Sequence, residues 1–165
     1  MTEFTQSDGG APSAEWLKLI LPVMREGYML KICPNGTSMA PFLAGGRDEA
    51  VLALLTDDFT LKKNDVVLYR IKNGIHVLHR ICRINKNGIY TLGDFQSKRE
   101  GPFHRNEIIA VADHIIRKGK KINRGDRFYL VLITVWRWLG PFKRHVAGGY
   151  FMLKRLLKSK NNGDF

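Results

Sequence analysis

Cysteine is scarce. Cys33 and Cys82 are the only two in 165 residues, too few for a disulfide framework and fitting no metal-ligand pattern by themselves, which favours a reducing compartment. Long apolar runs are missing too. The longest, "FYLVLITVWRWL" from Phe128 to Leu139, contains Arg137 and stops at Gly140-Pro141. It is about half of the ~20 residues that a conventional spanning helix needs. The opening "MTEFTQSDGGAPSAE" lacks the basic start and apolar stretch of a secretory signal peptide. No internal repeat is present.

Acidic residues are nearly absent from one end. Residues 117–165 hold 13 Lys/Arg against Asp126 and Asp164, a net charge of +11. Residues 1–116 hold 14 Lys/Arg against 13 Asp/Glu, so the formal +12 of the chain belongs to its tail. A basic tail on a neutral body suits an anionic membrane surface or a polyanion, and no nucleic-acid partner is expected. With no spanning helix, the expected location is cytoplasmic and peripheral on the membrane.

What is present is an ordinary apolar content of 44%, enough for one domain with a real core. Residues 1–13 read as a disordered leader rich in Gly, Ser and Thr. "SAEWLKLILPVMREGY" follows, with Ser13 as N-cap and Trp16, Leu17, Ile20, Leu21 and Met24 at helical spacing around a Pro22 that bends the helix. From Met29 the pattern turns to short β runs: "YMLKIC", "AVLALL", "DVVLYRI", "GIHVLHRICRI", "GIYTL" and "NEIIAVADHII". Asn73-Gly74 and Asn87-Gly88 are hairpin signals between them. The spacing predicts a mainly β fold of antiparallel, coiled or barrel-like sheets, with an N-terminal helix and a helical basic tail over 128–165. In that tail, "GGYFMLKRLLKSK" reads as a basic amphipathic helix. It either covers a sheet edge or lies on a membrane surface.

One stretch carries candidate chemistry. "CPNGTSMAPFLAGGRDEA" sets Ser38 among small residues and a proline. A serine hydroxyl needs a positioned base to act as a nucleophile. In "GIHVLHRICRI", alternation puts His79 on a face with Ile75, Val77 and Ile81, and His76 on the other with Leu78, Arg80 and Cys82. Opposite faces argue against a metal shared by His76 and His79, so no metal or cofactor is expected.

Taken in order, "GTSMAP", "NDVVLYR", "VLHRI" and "YTLGDFQ" resemble the boxes of the signal peptidases and their relatives, the self-cleaving repressors. The resemblance covers residues 27–117, and residues 14–127 are read as the peptidase-like domain. It implies the antiparallel coiled β fold of that family and a bacterial serine endopeptidase acting on signal or leader peptides of a precursor polypeptide. Ser38 corresponds to the nucleophile. Where the leader-peptidase and repressor types place a Lys base, this chain has His79, as in the His-type branch. Asp94 matches the Gly-Asp turn, and Glu100 stands where that branch carries a second acid. Either would orient the imidazole. The resemblance also assigns Ser38 and Thr37 to the oxyanion and Met39 and Pro41 to the pocket wall. Asn64 replaces a family glycine, a change that left-handed backbone tolerates.

Three alternatives stand beside this reading. Ser38 could serve only to turn the chain. The protein could be a repressor-like self-cleaving relative, although residues 1–28 have room for a single helix and none for a DNA-binding pair. Or the fold could be a catalytically silent peptide- or membrane-binding module.

Overall fold

The computed structural model describes residues 3–5, 14–71 and 74–140. The protein is mainly β, with one helix near each end of the described chain. The order is β1 (Glu3–Thr5), α1 (Ala14–Arg25), β2 (Met29–Ile32), β3 (Glu49–Leu54), β4 (Val66–Arg70), β5 (His76–Asn85) and β6 (Gly88–Leu92). There follow β7 (Glu100–Phe103), a 3-10 turn at Arg105–Glu107, β8 (Ile108–Arg117), β9 (Lys120–Asn123) and α2 (Arg127–Trp138). The chain divides into two units after Leu130. The first holds every strand and α1, and the second begins inside α2.

The nine strands form one sheet in the order β1-β2-β3-β8-β4-β5-β6-β7, with β9 added to β8. Strands β2 to β9 pair antiparallel, and β1 joins β2 in parallel. Thus residues 3–5, expected within a disordered leader, form an edge strand instead. The helix predicted after Ser13 is present as α1 and continues through Pro22, while Ser13 itself lies outside the described residues. So do Lys72-Asn73 of the first hairpin turn and all of 141–165, including "GGYFMLKRLLKSK".

Strand β8 organises the sheet. One of its edges pairs with β3 from Ala110 to Ile116. Its other edge is divided: Ile108 to Val111 pair with β4, whereas His114 to Arg117 pair with β9. Bulges at Val51/Leu52, Leu68/Tyr69 and Ile81/Arg83 add the local twist that coils a sheet. One core cluster gathers Val67, Tyr69, Ile81, Ile89, Ile108 and Val111. Burial of such side chains contributes about 1.5–3 kcal/mol each. At the end of the first unit, Tyr129 is buried, meets Phe42 edge-on at 5.5 Å and donates its hydroxyl to the Phe42 carbonyl at 3.1 Å.

Candidate active site

Ser38 sits in the connection between β2 and β3, and the residues around it explain why so irregular a segment holds its shape. Met39, Phe42 and Leu43 are buried and anchor the loop in the core. Gly45 donates to the Gly36 carbonyl at 3.3 Å. A Cβ on Gly45 would lie 2.7 Å from the carbonyl oxygens of Pro34 and Gly36, so the two arms close only on glycine. Beyond it, buried Asp48 accepts from the Ala44 amide at 2.8 Å, from the Lys118 amide at 3.2 Å and from the Arg47 guanidinium. Burial alone would raise the Asp48 carboxyl, but Arg47 and these amides bring it below its ordinary value.

The "LGDFQ" segment docks directly on this loop. The Phe95 amide donates to the Ser38 carbonyl at 2.8 Å. Gly93 lies so close that a Cβ there would sit 2.7 Å from the same oxygen. Ser38, Met39, His76 and His79 line one small cavity of about 150 Å³. Ser38 and His79 share that space without a direct hydrogen bond between them. Thr37 is exposed and outside the lining, and Pro41 is also outside it, with its carbonyl accepting from Arg47 and Arg117 at 3.1 and 3.3 Å.

His79 is buried on β5. Its Nδ1 lies 2.9 Å from the Tyr69 hydroxyl and 3.4 Å from Glu100 Oε2. The Tyr69 hydroxyl donates to Glu100 in a short contact, and Thr91 donates to Tyr69 at 2.8 Å. Burial lowers the His79 pKa below its ordinary 6.5, and the Glu100 charge and hydrogen bond reverse only part of that. Burial, then Glu100, hold the Tyr69 phenol far above its usual value, so it keeps its proton.

The two acids have separate surroundings. Asp94 and Arg80 form a buried ion pair, with Nε to Oδ1 at 2.9 Å and Nη2 to Oδ2 at 2.8 Å. Arg80 Nη1 also donates to the Asn64 carbonyl at 2.9 Å, and Asn64 takes the positive φ of 78° that its asparagine tolerates. Burial works against the Arg80 charge, but Asp94 beside it raises the pKa above the ordinary value. Of the two carboxylates, then, Glu100 is the one placed at His79 Nδ1, and Asp94 is taken up by Arg80.

The sequence does not mark Tyr69 or Thr91 as part of the site. Alternation along "DVVLYR" puts Tyr69 on the face of Val67, but only the structure shows that Val67 pairs with His79. That register makes Tyr69 the diagonal neighbour of His79. Cys82 donates to the Tyr90 carbonyl at 3.3 Å, and no set of three or more His, Cys, Asp or Glu is placed to hold a metal among the described residues. No protein-family model matches the chain, and comparison with curated proteins gives no match.

Proposed function

We propose that this protein is a serine endopeptidase that removes signal or leader peptides from precursor polypeptides, with Ser38 as nucleophile and His79 as general base. The single observation that carries the reading is that Ser38 shares a small cavity with a buried His79 whose Nδ1 faces Tyr69 and Glu100. With Nδ1 so occupied, Nε2 is the nitrogen that takes the Ser38 proton. Hydrogen bonds of this kind are commonly long without substrate and tighten around it, which fits the absence of a direct Ser38–His79 bond.

In the proposed reaction Ser38 Oγ attacks the scissile carbonyl as Nε2 accepts its proton. The carbonyl oxygen becomes an oxyanion. The backbone N–H groups of Ser38 and Met39, which donate to no backbone carbonyl among the described residues, are available to it. The imidazolium then protonates the leaving amine, the C–N bond breaks and an acyl-enzyme remains. Water, deprotonated by His79, releases the acid and restores Ser38. The resemblance to the signal peptidases implies this substrate class and a preference for small side chains at the cut.

A fluorophosphonate probe tests this on the native protein. It should label Ser38, with a rate that falls on the acid side as His79 gains a proton. Because the folded His79 pKa lies below 6.5, labelling should persist at pH values where a free imidazole is already half charged, and fade below them. A native protein that the probe leaves unlabelled would be the binding module instead.

The second unit supports a place of action. Along α2, Val131, Val135 and Trp138 are 59%, 54% and 89% exposed, and their spacing puts them on one helix face. An apolar face ending in Trp, within a segment of net charge +11, matches the chemistry of an anionic lipid surface, which adds about 1 kcal/mol per nearby Lys or Arg. We propose that this unit rests on the cytoplasmic face of such a membrane. Binding to phosphatidylserine vesicles should weaken with salt, and Val135→Asp with Trp138→Ala should weaken it by about tenfold or more. Equal binding to neutral vesicles, or binding that ignores both substitutions, would overturn this role.

A further inference from the structure

We infer that Tyr69 is a positioning residue that fixes the His79 tautomer, and that Glu100 acts on His79 through it; this rests on His79 being the general base. The Tyr69 oxygen carries one proton and two lone pairs. It has three polar neighbours: Thr91 Oγ1 at 2.8 Å, His79 Nδ1 at 2.9 Å and the Glu100 carboxylate. A carboxylate only accepts, so the Tyr69 proton goes to Glu100. Both lone pairs are then left for donors. Thr91 fills one, and His79 fills the other only if Nδ1 carries a hydrogen. An imidazole with its hydrogen on Nδ1 has its lone pair on Nε2, the form a serine needs.

The arrangement makes an unusual prediction about which loss is worse. Removing Glu100 releases the Tyr69 proton, and His79 Nδ1 becomes the acceptor beside it. The phenol then donates to the imidazole and selects the tautomer with hydrogen on Nε2, which cannot take a serine proton. Removing the phenol oxygen instead leaves Nδ1–H 3.4 Å from Glu100 Oε2, close enough for a small shift to pair them directly. The hydroxyl is therefore helpful while Glu100 is present and harmful once it is gone.

Two measurements on the full chain test this. The first is ¹⁵N NMR of the His79 ring, well above its pKa. In the native protein the protonated nitrogen should be Nδ1; in Glu100→Ala it should switch to Nε2. The Glu100 side chain is 32% exposed, so this truncation leaves no sealed cavity. The spectrum can be recorded in a Ser38→Ala background, so it reports on the relay even if no peptide is ever cleaved. The second is peptidase activity in a double-mutant cycle. Glu100→Ala should lose on the order of 10³–10⁴-fold, the scale of a wrong tautomer. Tyr69→Phe should lose only about tenfold, the scale of one hydrogen bond, and adding it to Glu100→Ala should restore part of the rate. Native His79 protonated on Nε2, or a Glu100→Ala spectrum still protonated on Nδ1, would overturn the relay. So would a double variant no better than Glu100→Ala. A normal spectrum with an inactive native enzyme would instead condemn the peptidase assignment.

Discussion

Ser38→Ala is expected to abolish peptide cleavage, by a factor on the order of 10⁶, while leaving the fold intact. The loss is large because Ser38 carries the one hydroxyl among the described residues that line the cavity, where the other polar side chains are Asn35, His76 and His79, and the proposed mechanism uses His79 as the base. The fold should survive because the loop holds Ser38 by its backbone. The Ser38 carbonyl is bound by the Phe95 amide, and Met39, Phe42 and Leu43 supply the buried anchors. The checks are a single-turnover assay on a leader peptide and a thermal melt within about a degree or two of the native protein. Retained activity with an unchanged melt would remove Ser38 from the chemistry altogether.

Asp94→Asn should fail in a different way, through stability. Arg80 and Asp94 are both buried, and the guanidinium also donates from Nη1 to the Asn64 carbonyl. Neutralising one member leaves an uncompensated charge in the interior, which costs about 3–5 kcal/mol. The expected result is a lower denaturation midpoint at unchanged slope, with activity lost in proportion to unfolding. Glu100→Ala should show the reverse, an inactive protein of near-native stability. If Asp94→Asn instead melts like the native chain and is slow only in turnover, the orienting acid is Asp94, and Arg80 is a bystander.

Helix α1 and six of the strands are legible in the sequence because they follow simple periodicities: apolar residues at helical spacing, or alternating runs bounded by turns. Strands β1, β7 and β9 are not, and the reason is common to all three. They are edge or added strands with a single neighbour each, and edges are protected by the residues that disguise them. Strand β7 is Glu-Gly-Pro-Phe and β9 is Lys-Lys-Ile-Asn; neither resembles a strand in isolation. The site divided the same way. The Ser38 loop stands out because glycine and proline mark it, and His79 only because "VLHRI" falls in order among the four boxes, since a histidine on an apolar strand face otherwise reads as core. Tyr69 does not, since an aromatic in "DVVLYR" reads as core, and its hydroxyl gains meaning only once β7 brings Glu100 alongside. Choosing between Asp94 and Glu100 likewise needed three dimensions, because both follow the same strand and only the Arg80 pairing separates them.

Strand β7 gives the site a weak member within a robust sheet. It is four residues long, has β6 as its neighbour and closes the sheet at that end. Short terminal strands open locally at a fraction of the global free energy, while central strands such as β4 and β8 part only when the whole domain does. Each such fraying event carries Glu100 away from Tyr69 and leaves the phenol free to turn its proton toward His79. The proposed activity would thereby be tied to the opening equilibrium of one short strand. Warming should silence the protein before any spectroscopic sign of melting, and recovery on cooling should be immediate, since the chain has only one strand to put back.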